Sequence, residues 1–420
     1  MPLRRLWPLG LAAAALAALP IAARAQTAQT PPEANSSVPG WDDFVDALRT
    51  LPDRMLSKLP AEMQADPQVQ QEVARLALEA LASQSLDAIG ADGDAPQFLP
   101  AIGQVLNVGQ PNADTIYRTA TINPGGSYRL TGQRGSLRLA VIAQVVPGAG
   151  TRAHLDLAKL KADRDGRFDV LVSPTRPADY AGDWWELDPR AARLMVRMVS
   201  SDWGKEVEPT LTIERVDRPI GRHRPAAADL EKRLRGLPKQ IDFIALMFVD
   251  HVEQLRKQGF VNKLKVFDVP VGALAGQFYY EGVYQLKDDE ALIVESPVPA
   301  KCDYRSLILT NEIYETTDWY NNHASLNDAQ AAPDTDGMLR IVVSAKDPGV
   351  RNWLDTSGYP SGMIQGRWTG CDSQPIPATR LVKLRDLKKA LPRDVATVTP
   401  EQRQQILRER RRALQERPLW

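Results

Sequence analysis

Among 420 residues there are only two cysteines and four histidines. That scarcity leaves no Cys-x-x-Cys pair and no His/Cys set dense enough for a structural zinc site. The sequence also lacks a glycine-rich phosphate loop, a zincin helix and a serine nucleophile elbow. Neither a metal nor another cofactor is therefore expected. Asp334-Thr-Asp336-Gly337 opens like a calcium loop but lacks the later ligands, and reads as a hairpin turn. Net charge is missing too: 52 Lys and Arg stand against 52 Asp and Glu. Such balance gives no electrostatic drive toward nucleic acid or an anionic membrane. Beyond the first 25 residues no apolar run reaches transmembrane length, so no stable membrane insertion is expected.

The start of the chain is distinctive. Met1-Pro-Leu-Arg-Arg5 precedes an apolar stretch that closes on Ala23-Arg24-Ala25. A basic start, a short apolar core and a small-x-small end describe a cleaved secretory signal over 1–25. Removing Arg4, Arg5 and Arg24 leaves 52 − 3 = 49 basic against 52 acidic residues, a charge of −3. Periplasmic or secreted localisation follows as an expectation. Residues 26–40, rich in Gln, Thr, Pro, Ser and Asn, read as a linker. In an oxidising compartment Cys302 and Cys371 are expected to bond. The long loop they close would contribute about 4 kcal/mol by restricting the unfolded chain.

Hydrophobic periodicity gives the organisation. Trp41, Phe44, Val45, Leu48 and Leu51 recur at helical spacing. A second helix starts at Asp66-Pro67, with Asp as N-cap and Pro in the first turn. From 112 to 216 short β-rich runs alternate with Gly and Pro, the pattern of a sandwich or barrel. A helix is predicted over 230–257, with Gly259 as its C-cap. Strands return at 277–286, 291–295, 304–314, 338–344, 363–368 and 379–384. Thr399-Pro-Glu-Gln402 is a capping box opening a last, Arg-rich helix, read as a solvated face or an oligomer contact. No repeat of solenoid period is present. The fold class is mainly β. It comprises helices and a first sandwich over 41–225, a helical connector over 226–260, a second sandwich over 261–395 and a helix over 396–420.

Polar and aromatic residues concentrate between Tyr304 and Trp368. The segments are Thr317-Asp-Trp-Tyr-Asn-Asn-His323, Ser325-Leu-Asn-Asp-Ala-Gln330 and Asp347-Pro-Gly-Val-Arg-Asn-Trp-Leu-Asp-Thr356. His323 can shuttle a proton near neutral pH. Glu312, Asp318 and Asp355 are candidate carboxylates for a two-carboxylate site, as in glycoside hydrolysis. Trp319, Tyr320, Trp353 and Trp368 are candidate platforms for a sugar or apolar ligand. Arg305 and Asn311, on the strand face with Leu307 and Leu309, need partners if buried. Asn322 and Asn327 complete the predicted substrate-binding set.

Several of these strings resemble a bacterial family built from domains of unknown function 1254 (N-terminal) and 1214 (C-terminal). Asn112-Ala-Asp-Thr-Ile-Tyr-Arg118, Pro124-Gly-Gly-Ser-Tyr-Arg129 and Val199-Ser-Ser-Asp-Trp-Gly204 carry the N-terminal likeness. Tyr304 to Asn311, Asn322-His323, Leu326-Asn327 and Asp347-Pro-Gly…Asn352-Trp-Leu-Asp-Thr356 carry the C-terminal one. The chain departs from the pattern at Arg351, where many relatives have Pro, and at Gly358-Tyr359. The resemblance implies two jelly-roll-like sandwiches in an oligomer, and no settled activity. Two functional classes stay open. One is an enzyme using carboxylate and His acid–base chemistry on a glycan or other scavenged substrate. The other is a non-catalytic ligand-binding protein or a homo-oligomeric structural unit.

Overall fold

The computed structural model describes residues 36–267 and 276–418. The predicted signal peptide and most of the linker lie outside these residues. Three helices come first: α1 (Trp41–Leu56), α2 (Ala61–Gln64) and α3 (Pro67–Gly90). Asp66 caps α3 as predicted, its Oδ1 accepting from the Gln68 amide at 2.8 Å. Nine strands follow: β1 (Leu99–Pro100), β2 (Thr115–Thr121), β3 (Tyr128–Gln133), β4 (Leu139–Val146), β5 (Gly150–Asp156), β6 (Arg167–Ser173), β7 (Asp183–Glu186), β8 (Arg193–Val199) and β9 (Thr210–Arg215). The helix expected over 230–257 is two, α4 (Ala227–Leu246) and α5 (His251–Lys257), with a break at 247–250. Gly259 ends α5 with φ +84°. Helices α1, α3 and α4 share one core, including Leu51, Met55, Val73, Leu76, Leu237 and Ile241. Each such side chain contributes roughly 1.5–3 kcal/mol. This joins helices that the periodicity assigns to two segments.

Another nine strands complete the β structure: β10 (Lys265–Val266), β11 (Gln277–Gln285), β12 (Glu290–Pro297), β13 (Tyr304–Leu309), β14 (Ser325–Asn327), β15 (Met338–Ser344), β16 (Trp353–Asp355), β17 (Ser361–Thr369) and β18 (Ala378–Lys383). Helices α6 (Leu387–Ala390) and α7 (Pro400–Glu416) end the chain. The fold is mainly β, in two sandwiches. One pairs sheet β1-β2-β8-β4-β5 with sheet β7-β6-β3-β9. The other pairs β10-β11-β17-β13-β14 with β16-β15-β12-β18, the same order with every strand nine places later. Pairing direction repeats as well. β6–β7 and β15–β16 are the parallel pairs, and the other named pairings are antiparallel. Cys302 and Cys371 are bonded at one end of the second sandwich.

Alternation along each strand sends one face into a sandwich core. Ile142, Leu194 and Val196 fill the first core, and Leu292, Ile341 and Ile364 the second. The opposite faces of the two five-stranded sheets are polar. Tyr117 pairs with Arg197 in one, and Tyr279 with Arg367 in the other. Hydrogen bonds join the sandwiches through Asp114, which is fully buried. Its carboxylate accepts from Tyr304 Oη at 2.6 Å, Asn327 Nδ2 at 2.7 Å and Trp203 Nε1 at 2.8 Å. Asn112 Nδ2 also donates to Tyr304 Oη at 2.7 Å.

Two expectations need correction. The predicted strand 304–314 stops at Leu309. The Asn311 side chain accepts the amides of Ile313 (3.1 Å) and Glu315 (3.0 Å), which closes a turn instead. Glu312 and Tyr314 therefore leave the strand, and Tyr314 takes φ +74°. The Arg-rich helix α7 is not simply a solvated face. Arg403, Arg410 and Arg417, seven residues apart, are buried. Arg403 binds Asp347 at 2.9 Å and lies 5.1 Å from the Trp353 ring centre. Arg417 pairs with Glu208 at 2.5 Å and donates to the Asp114 carbonyl at 3.0 Å. Trp353 covers the Arg403 guanidinium and Trp203 that of Arg410, so charge and burial coexist.

Candidate functional site

The turn after β13 faces α3. A pocket of about 310 Å³ lies there, lined by α3, residues 104–107, the loop 311–322 and residues 357–359. At its wall Arg75 grips Glu315 with two bonds, Nε–Oε1 at 3.1 Å and Nη2–Oε2 at 2.6 Å. Asn311 Nδ2 donates to Glu315 Oε2 at 2.5 Å. A carboxylate held by a bidentate guanidinium and an amide is stabilised as the anion. Glu79, one helical turn from Arg75, lines the same pocket as Glu315 and feels its charge. Burial, then the Glu315 charge, push the Glu79 carboxyl up to about 8, against the pull of Arg75. Its buried Oε2 has no hydrogen-bond partner. The neighbouring carboxyls thus sit in different environments: Glu79 favours its neutral form near pH 7, while Glu315 is the partner of Arg75 and Asn311.

The backbone around the pocket is held in an uncommon shape. Tyr314, just before Glu315, has φ +74°, and Ser357 has φ +56°. Left-handed backbone at a bulky residue is costly and persists where surrounding bonds impose it. Here Asn311 imposes it through the two amides it accepts. Asn107 clamps the far side of the turn, donating to Thr316 O at 2.8 Å and accepting its amide at 3.1 Å. Tyr359 lies beside Arg75, and burial raises its phenol above the usual range.

Of the predicted residues, Asn311, Asp318, Trp319 and Asn322 line this pocket. Asp318 is a loop cap, accepting the Tyr320 amide at 2.9 Å and Asn321 Nδ2 at 2.6 Å. Glu312 is turned away and held by Arg256 at 2.8 and 2.9 Å. Asp355 closes a turn on the Ser357 amide at 2.8 Å. His323 is buried, and its Nδ1 bonds Trp353 O at 2.5 Å. Burial, Arg410 and Arg403 pull its pKa down to about 3. That ring stays neutral at working pH and is poorly placed as a proton shuttle. The expected aromatic platform is not exposed: Trp319, Tyr320, Trp353 and Trp368 are all buried. Trp368 belongs to the second core. Arg305 finds the Ala331 carbonyl at 2.8 Å, and Asn327 serves the Asp114 network. The four predicted catalytic residues do not share the pocket.

Sequence reasoning missed Glu79, Arg75 and Glu315. The available signal was slight: Arg75, exposed, and Glu79, half-buried, flank the stripe of Val73, Leu76 and Ala80 that α3 buries. Charged residues beside an apolar stripe are the ordinary pattern of a surface helix and do not mark a site.

No family model matches the chain, and no curated protein matches it. Among solved structures, an uncharacterised protein from Burkholderia cenocepacia is similar at 28% identity and a TM-score of 0.76. The alignment covers 82% of this chain and 97% of that one. A protein from Vibrio parahaemolyticus aligns over 74% of this chain and 99% of its own, at 11% identity and a TM-score of 0.45.

Proposed function

We propose that the chain is an exported acid–base enzyme whose active site is the Glu79–Glu315 pair. The observation that carries this reading is a half-buried carboxyl, with one oxygen left without a partner, in the same pocket as a carboxylate clamped by Arg75; burial and the Glu315 charge push the former up to about 8. One group can give a proton at neutral pH while the other takes one. The two-carboxylate glycosidase geometry of the sequence expectation fits less well. That chemistry pairs carboxyls on opposite sides of a sugar bond, roughly 5–9.5 Å apart, whereas Glu79 and Glu315 share one wall and the Glu315 charge raises the cost of ionising Glu79. A close dyad suits hydrolysis at a polarised acyl bond. Glu315 takes a proton from water, the hydroxide adds to the carbonyl carbon, and Glu79 protonates the carbonyl oxygen. Collapse returns a proton to Glu79 and expels the leaving group, which takes the proton that Glu315 gained.

Gln104, Asn107, Thr317, Asn322 and Ser357 line the pocket with amides and hydroxyls. Such walls suit a polar, sugar-sized substrate, for which an acylated envelope glycan fragment is the working class. Export to the periplasm is supported by the N-terminal residues and by the Cys302–Cys371 bond. Membership of the 1254/1214 family remains part of this proposal. The test is a thermal-shift screen of the mature protein against acylated and plain oligosaccharides, followed by product analysis. Glu79→Gln and Glu315→Gln should retain binding and lose turnover. Unchanged turnover in both variants would remove the pair from the chemistry.

A further inference from the structure

On the other side of the 317–323 loop lies a second pocket, about 450 Å³, where α7 meets both sandwiches. Its walls are basic. Lys205, Arg351, Arg410 and Arg412 line it, against Asp202 and Glu409. Both acids are engaged: Asp202 holds Lys205 at 2.8 Å, and Glu409 accepts from Gln405 at 2.6 Å. Among the described residues Arg351, Arg410 and Arg412 make no ion pair.

Arg410 is the informative member. It is 6% exposed, and its acceptors are all neutral: Trp319 O at 2.8 Å, Gln330 Oε1 at 3.3 Å and Ser325 Oγ. The guanidinium lies over the Trp203 ring at 4.3 Å. Burial pulls its pKa down to about 9, with only the more distant Asp114 and Asp318 opposing. A buried cation with neutral partners is costly, and an anion brought beside it recovers that cost. His323 lines the same pocket. Its Nδ1 donates to a carbonyl, so Nε2 is left as an acceptor for a ligand hydroxyl.

We propose that this pocket binds a small oxyanion-bearing ligand, a carboxylate or a phosphate, through Arg351, Arg410 and Arg412. The site is separate from the Glu79–Glu315 pair and does not depend on the reading given for it. The test is calorimetric titration of the mature protein with citrate and with inorganic phosphate, using sodium chloride at matched ionic strength as reference. Arg351→Ala/Arg412→Ala changes two exposed side chains and should leave the fold intact, which circular dichroism checks. Saturable binding of either probe, weakened at least about tenfold in the double variant and unchanged in Glu79→Gln, is the expected result. The probe that binds more tightly identifies the anion class. Binding no stronger than chloride, or a smaller loss in the double variant, overturns the proposal.

Discussion

In the first sandwich β4 and β5 are joined by residues 147–149, a tight hairpin. The matching strands of the second, β13 and β14, are separated by 310–324. That excursion carries Asn311, Glu315, Asp318, Trp319 and His323, and with them walls of both pockets. Elsewhere the two copies stay close. Ser173, at the end of β6, accepts from Trp184 Nε1 at 3.0 Å and donates to Thr175 O at 2.9 Å. Ser344, at the end of β15, accepts from Trp353 Nε1 at 3.0 Å and donates to Lys346 O at 2.8 Å. The two sandwiches share strand order and a latch, and they differ most in one loop, which walls both pockets. A rigid sheet tolerates such an insertion because the loop's ends are fixed by pairing that it does not disturb.

The largest expected effect tests whether the proposed chemistry depends on the loop that the second sandwich alone carries. Glu315→Gln should lower kcat/KM by roughly 10²–10⁴-fold. Glu186→Gln, at the place in the first sandwich that Asp355 holds in the second, should leave it unchanged. Steady-state rates on a substrate found by the screen decide this. Next comes the disulfide, which the first sandwich has no cysteines to match. Cys302→Ser should cost about 4 kcal/mol. The loss should be read by urea unfolding, with the buried Trp368 among the fluorescence reporters.

The two latches give a smaller and more pointed contrast. Ser344→Ala leaves the buried Trp353 indole only its longer bond to the Ser344 carbonyl, at 3.2 Å, and should cost about 1–2 kcal/mol. Ser173→Ala, beside the half-buried Trp184, should cost about 0.5–1.5 kcal/mol. Equal losses would mean that the surroundings of the latches matter less than the bond itself. The smallest effect is in pH dependence. The Glu79 carboxyl is raised from near 4.5 to about 8, so the folded state favours its protonated form. The stability it contributes is full below the unfolded value and is lost as pH rises through about 8. Glu79→Gln should flatten the fall in urea midpoint between pH 5 and 9.

Much of the scaffold was legible because its signals are local. Alternation marked most long strands, and Asp66-Pro67 and Thr399-Pro-Glu-Gln402 marked two helix starts that the structure contains. The repeat of strand order was not legible. It appears as topology and as isolated pairs such as Ser173/Trp184 and Ser344/Trp353, too sparse to register in the sequence. The loop after β13 was recognised as unusual, but its side chains were assigned by type alone. What surrounds a Glu depends on what approaches it in space. Arg256 reaches Glu312, while Arg75 and Glu79 reach Glu315. Those approaches come from helices distant in sequence. The α7 arginines misled for a related reason, since their covering rings, Trp353 and Trp203, belong to different sandwiches.

The position of α7 also sets an order of events. Arg417 reaches the Asp114 carbonyl and Glu208, and Arg410 reaches Trp203, all in or beside the first half of the β structure. The residues that lock that half are therefore synthesised long after it. A chain emerging from a ribosome or a translocation channel can pair its early strands, but the seam between them and the later ones stays open until α7 has followed. A chain cut before α7 would carry that open seam as its mark.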